Sequence, residues 1–327
     1  MVAGLTAARV SALAPDPAGD GTAYAAVNAR GVFKRVNGAW RAATTGLTPD
    51  KVYAVAVDPQ DPATVYAGTE VGVFKSTNGA ASWRVSFTPV TEFTGVHAVA
   101  VNPQDPTTVY ALTVDAFTVY GSLVVKSGNR GQTWGTYARV QTVKAAEGRR
   151  VSAGWRGSPV RLGGDGSLIH AVPAAPLAIA PLDPDVLYAG GLGVRKSVDG
   201  GITWRSAGLG RRPVIALAVD PGDPAIVYAS TDAGLFKSTG AGVSWRPLRG
   251  ALDGVHVEAL AIDPKYRGTV YAGTDRGVFW SADGGDSWRR FTHLPLRPFT
   301  AVAVDRAAGV LYAGAYGGGI YELSLVR

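Results

Sequence analysis

One passage is written again and again in this chain, and its period constrains the fold more than any composition does. In the stretch from Val52 to Trp83, VYAVAVDPQDPATVYAGTEVGVFKSTNGAASW, an apolar block runs into an Asp-Pro break. A Val-Tyr-Ala block, a Gly-Val-Phe-Lys-Ser block and a tryptophan follow. Aligned on the first block, copies begin at Ala12, Ala54, Ala98, Pro176, Ala216, Ala259 and Ala301, with the tyrosine at Tyr24, Tyr66, Tyr110, Tyr188, Tyr228, Tyr271 and Tyr312. Five copies keep one Asp/Asn-to-Tyr spacing; the fourth has Ala180 in the aspartate slot, and the last is one residue shorter with Arg306 in place of proline. A period of roughly forty residues holding several short strands predicts a β-propeller blade.

Within the second copy, Val52 to Val57 reads as an inner strand A, ended by Asp58-Pro59 because proline lacks the ladder donor. Thr64 to Thr69, Gly72 to Ser76 and Ser82 to Ser86 read as strands B, C and D from their β-branched and aromatic content. The expected fold is all-β, a seven-bladed β-propeller of four-stranded antiparallel blades. Its last blade is expected to be three-stranded, because Ser324 to Arg327 adds neither tryptophan nor a fourth strand. The repeat runs end to end, so residues 1–327 are read as one domain, with an insertion at about 137–175 between the third and fourth blades.

Composition agrees and narrows the chemistry. Forty-three glycines and 20 prolines suit many tight turns, and charged residues are only 17% of the chain. With no cysteine, disulfides and thiolate metal sites are excluded. No apolar run reaches the roughly 18 residues of a membrane helix, and the first residues do not read as a signal peptide. A net charge of +7 favours acidic partners.

Between strands C and D lies S-x-D-x-G-x-S/T-W, complete at Ser197 to Trp204 and Ser281 to Trp288. Degenerate copies stand at Ser76 to Trp83, Ser127 to Trp134 and Ser238 to Trp245, and a shortened one ends at Trp40. The aspartate suits a turn cap, the glycine a positive φ, and the tryptophan burial between blades. The pattern resembles the Asp-box, or BNR repeat, of sialidase-like propellers. The surrounding text is similar to the propellers of sortilin-type receptors and xyloglucan-cleaving hydrolases, and more loosely to the photosystem II assembly factor. The resemblance implies a propeller fold, boxes remote from any active site, so that Asp199 and Asp283 are turn caps, and a secreted or periplasmic location. Arg-Ile-Pro, which a sialidase carries near its start, is absent.

Blade topology puts the A–B and C–D turns on one face and the B–C and D–A connections on the other, where propeller ligands usually bind. His97, His170, His256 and His293 all fall on that second face. The insertion gathers Arg149, Arg150, Arg156 and Arg161 around Trp155, and Arg211 and Arg212 lie in the next D–A loop. Arginine forks interleaved with an aromatic suit an anionic glycan or an acidic protein surface; a solvated rim loop is the plain alternative. Nucleic acid is set aside, since no nucleic-acid-binding motif accompanies the charge.

The expected function is therefore a monomeric recognition propeller needing no cofactor. The alternative is a carbohydrate-active enzyme, a glycoside hydrolase or polysaccharide lyase, with Glu147, Asp165 or Glu258 as candidate acids. A metal held by His97, His170, His256 and His293 is the sharper variant of that alternative, though the chain has no close-spaced His-x-His pair. Lys75, Lys126, Lys196 and Lys237, before the box serine, and Arg84, Arg205, Arg246 and Arg289, after the tryptophan, repeat too regularly to be a site and are expected to be surface scaffold.

Overall fold

The computed structural model describes residues 6–48, 51–89, 93–115, 122–141 and 176–325. The first repeat supplies β1 (Thr6–Pro15), β2 (Ala23–Val27), β3 (Gly31–Val36) and β4 (Ala39–Ala42). The second supplies β5 (Val52–Val57), β6 (Val65–Thr69), β7 (Gly72–Ser76) and β8 (Arg84–Phe87), and the third β9 (Phe93–Val101), β10 (Val109–Asp115), β11 (Ser122–Ser127) and β12 (Gly135–Gln141). The fourth contains β13 (Leu177–Ala180), β14 (Asp183–Gly191), β15 (Gly193–Ser197) and β16 (Arg205–Ser206). Then come β17 (Val214–Asp220), β18 (Asp223–Thr231), β19 (Gly234–Ser238) and β20 (Arg246–Leu248), followed by β21 (Val257–Ile262), β22 (Val270–Thr274), β23 (Gly277–Ser281) and β24 (Arg289–Arg290). The last repeat holds β25 (Phe299–Asp305) and β26 (Val310–Ser324).

These strands form a propeller, but not the seven-bladed one that the repeat count predicts. The described strands make six sheets. Five have four antiparallel strands in chain order, and the sixth runs β25-β26-β1-β2-β3-β4. The first and last repeats share this sheet because β1 pairs with β26, Thr6 opposite Gly318 and Arg9 opposite Tyr316. The expected three-stranded last blade with an open edge is corrected by the same pairing: β26 is followed by β1 in one six-stranded sheet.

The core lies between sheets. One cluster joins Tyr24, Ala26 and Val32 of the first repeat to Val52, Val65, Phe74 and Trp83 of the second, and another joins Tyr228 and Leu235 to Val257, Val270 and Phe279. The repeated tyrosine is fully buried in all seven copies, which explains why its flanks are restricted to Val, Leu and Ala: only small or β-branched neighbours leave room for seven rings of one size.

Polar groups link neighbouring repeats in the same repeated way. The lysine before the box serine, and its equivalent Lys34 before Arg35 in the first repeat, lies over its own repeat's tyrosine and donates to the next repeat's turn: Lys34 to the Gly79 carbonyl at 3.0 Å, Lys75 to Arg130 at 2.7 Å, Lys126 to Gly200 at 3.4 Å and Lys237 to Gly284 at 2.8 Å. These lysines are inter-repeat clamps and not surface scaffold. The tryptophan reaches backward, Trp83 donating to the Ala43 carbonyl and Trp245 to Ala207, both at 2.7 Å. Trp83 and Trp288 are buried, whereas Trp134, Trp204 and Trp245 are half-buried.

The Asp-Pro turn and the Ser-Asp turn share one face, as expected. In the second repeat the Gly79 amide donates to Ala63, and in the sixth Gly284 donates to Gly268. Asp58 and Asp263 cap their turns by accepting two backbone amides each.

Candidate functional site: the mouth of the inner strands

Each innermost strand lies beside the next around a common axis, in the order β1, β5, β9, β13, β17, β21, β25 and back to β1. Six of them break register at one rung. The skipped residues are Ser11 in β1, Tyr53 in β5, His97 in β9, Ile215 in β17, Glu258 in β21 and Thr300 in β25. Each stands immediately before the alanine at which its repeat begins. A bulge leaves one residue outside the ladder, bends the strand and re-aims a side chain, and bulges are common beside functional sites. Here the bulge recurs in the same column, and it is the column where the repeat varies most: Ser, Tyr, His, Ile, Glu and Thr between near-constant Val and Ala.

The rung lies at the end of strand A that pairs with the close of strand B, next to the B–C turns and opposite the Ser-Asp turns. Around it the bulged side chains meet across repeats. The Tyr53 and His97 rings stack with centroids 4.4 Å apart and planes within 5°. Arg9, two residues before the bulge in β1, reaches to within 4.0 Å of Glu258 although β25 lies between their strands. Thr300 donates its hydroxyl to the Val10 carbonyl at 2.6 Å and so ties β25 to β1. Burial raises the Glu258 carboxyl above the usual range, with Arg9 and His256 pulling the other way. Burial, followed by the charge of Glu70, also raises the Tyr53 phenol.

The residues expected to form a site fare unevenly. Glu147, Arg149, Arg150, Trp155, Arg156, Arg161, Asp165 and His170 lie outside the described residues. Arg211 and Arg212 are exposed on the mouth face, with the Arg212 guanidinium 5.8 Å from the Phe236 ring. His97 and His256 flank the mouth, the latter's amide donating to Asp275 at 3.0 Å. His293 is exposed and sits edge-on to Phe291. These three histidines are not brought together. Among the described residues no group of three or more His, Asp or Glu is placed to hold a metal. Arg9, Ser11, Tyr53, Ile215 and Thr300 escaped the sequence reading, although aligning the repeats column by column exposes all but Arg9.

On the Ser-Asp face four arginines pair with acids, Arg130 with Asp58 at 3.2 Å, Arg246 with Asp286, Arg306 with Asp263 and Arg35 with Glu322, while Arg84, Arg205, Arg267 and Arg289 are exposed. On the mouth face, Arg30, Arg211, Arg212, Arg249 and Arg276 are exposed and, among the described residues, in no ion pair.

Asp199 and Asp283 stand away from the mouth and are saturated. Each accepts a hydroxyl and an amide four residues on, Thr203 or Ser287, together with the hydroxyl of Ser197 or Ser281. Those bonds, that of Thr203 foremost, hold the Asp199 carboxyl down at about 2, so neither aspartate is arranged to carry a proton in a reaction. No helix among the described residues is long and apolar enough to cross a membrane.

Comparison with known proteins supports the fold. No protein-family model matches the sequence, and no curated protein matches it significantly. Among solved structures, an ancestral GH74 enzyme superposes with a TM-score of 0.73 at 19% identity, over 98% of this chain and 45% of that one. The GH74 xyloglucanase of Xanthomonas campestris gives 0.72 at 21% identity, over 100% and 53%. A structure of YCF48 bound to D1 peptide gives 0.66 at 12% identity, over 98% and 95%. The chain thus spans about half of each GH74 chain and nearly all of the YCF48 chain. At such identities the likeness shows a β-propeller and nothing of activity.

Proposed function

We propose that this chain is a recognition propeller whose mouth face binds an anionic glycan or an acidic protein surface, with the Ser-Asp turns serving as Asp-boxes of the sialidase-like kind that hold the scaffold. The observation that carries the reading is the ring of guanidinium groups around the mouth: Arg30, Arg211, Arg212, Arg249 and Arg276 stand exposed there and, among the described residues, in no ion pair. Exposed guanidinium forks present paired donors to carboxylate or sulfate. The neighbours fit such a use without fixing it, since one is a xyloglucanase and another was solved with a peptide bound. Binding of this kind needs no cofactor. The insertion at 137–175, rich in arginine, is proposed as part of the same surface, and the compartment as secreted or periplasmic.

The experiment is retention on immobilised heparin over a salt gradient. Joint replacement of Arg211, Arg212, Arg249 and Arg276 by alanine is expected to lower the eluting salt concentration while leaving the thermal midpoint nearly unchanged. Equal retention of both proteins refutes the reading.

One observation favours hydrolysis as the second reading. Glu258 is a largely enclosed carboxyl with its proton affinity raised, as a general acid requires, and Asp275 lies near enough to contribute to that rise. Release of reducing ends from plant or acidic polysaccharides, abolished by Glu258→Gln, would establish it; absence of turnover leaves the binding module.

A further inference from the structure

The bulges put a contiguous arc of unlike side chains around the mouth. Proceeding from β21 through β25 to β1, β5 and β9, the arc presents Glu258, then Arg9 and Ser11, then the Tyr53 and His97 rings. We propose that this arc is a subsite for one carboxylated pyranose, a hexuronate unit of the glycan, bound through its ring face and its carboxylate. The inference rests on the recognition reading and names the ligand for it.

Three features select this chemistry. Arg9 is held by Glu258 only at 4.0 Å, beyond hydrogen-bond length, and its side chain keeps 43% of its exposure, so its forked donors remain available for a bidentate carboxylate. The Tyr53 and His97 stack supplies a flat wall of the kind on which the C–H face of a sugar packs, and bulging takes both residues out of the ladder. Glu258, 4.0 Å from Arg9, and Ser11, two residues further along the same strand as Arg9, bring oxygen atoms suited to ring hydroxyls, and among the described residues the Ser11 hydroxyl takes part in no hydrogen bond within the chain. A peptide carboxylate would use Arg9 but leave the aromatic wall and the flanking hydroxyl acceptors without a purpose, which favours the sugar.

The test uses the full chain with monosaccharides, read by saturation-transfer NMR and calorimetry. Galacturonate is expected to bind, and its methyl ester to bind at least about tenfold more weakly, since esterification removes the charge and one of the two equivalent oxygens of the bidentate contact. Arg9→Ala and Tyr53→Ala should each lower galacturonate affinity by about tenfold or more, and Tyr53→Phe, which keeps the wall, should retain it. Melting curves of all variants guard against misfolding. Equal affinity for acid and ester, insensitivity to Arg9→Ala or Tyr53→Ala, or no binding of galacturonate overturns the subsite. The four-arginine rim variant separates the two proposals: salt-sensitive heparin retention without galacturonate binding refutes the subsite alone, whereas loss of the rim effect with galacturonate still bound refutes the rim.

Discussion

Two adjacent residues in the fifth repeat show how finely the turn between strands C and D is tuned. Ala241 has φ of 54° and Gly242 of 88°, both in the left-handed region. An alanine there carries a steric cost of roughly 1 kcal/mol that glycine avoids, partly offset by glycine's greater freedom when unfolded. Ala241→Gly is therefore expected to leave stability unchanged or raise it by up to about 0.5 kcal/mol in denaturant titration. Gly242→Ala should cost at least about 2 kcal/mol, because its new methyl would lie 2.8 Å from the Ala207 Cβ and 3.1 Å from the Ala207 carbonyl oxygen. Glu258 makes a second prediction at this scale. Its carboxyl has a higher proton affinity folded than unfolded, so its contribution is fully present below the unfolded value of 4.5 and is lost as pH rises through the folded one. Melts of Glu258→Gln should lack that decline and lie above the parent at neutral pH, and parallel pH profiles would contradict it. The glycine pattern of these turns is plain in the sequence; the enclosed state of Glu258 is not, since it depends on a strand two repeats away.

At the scale of the element, the clamp from four of the C strands to the next turn accounts for a lysine that repetition made look ornamental. Lys237 lies 5.3 Å from the Tyr228 ring centre and donates to the Gly284 carbonyl at 2.8 Å. Lys237→Met keeps the stem and removes the charged donor, and is expected to cost about 1–2 kcal/mol in urea unfolding. A value within error of zero would return the lysine to the surface. A repeated column cannot by itself distinguish a solvated residue from one that meets the same partner in every copy, because the partner here is a backbone carbonyl one repeat downstream. The bulge was illegible for a related reason. Val-x-Ala reads as ordinary alternation, and only the register of the neighbouring strand shows that x has been skipped.

For the whole molecule, the decisive contacts are those between first and last repeats. Arg35 grips Glu322 with two bonds of 2.6 and 2.9 Å and lies over the Tyr312 ring, while Trp40 meets that ring edge-on at 6.0 Å. Ala23, Ala25 and Val27 pack with Ala301, Tyr312 and Ile320 in one cluster. Glu322→Ala is expected to cost about 1–2 kcal/mol, with one cooperative transition retained; a double-mutant cycle with Arg35→Ala should return most of that cost as coupling energy. The repeat was legible from end to end, yet counting it gave too many blades. Hydrogen bonding between Thr6 to Arg9 and the Tyr316 to Gly318 bend joins two copies into one sheet, and a periodicity says nothing about what its own two ends do to each other.

The recurrent bulge has a consequence for how such a ring can change. A skipped residue contributes no partner to the ladder, and in this chain Ser, Tyr, His, Ile and Glu already occupy the slot while its neighbours hardly vary. Thr300 is the exception, its hydroxyl being spent on Val10. On the proposed function, recognition and folding are thus written in separate columns of the same text. Randomising the codons for Ser11, Tyr53, His97, Ile215 and Glu258 together amounts to redrawing the ligand without rewriting the wheel, and the chain serves as a ready framework for selecting binders of new shape.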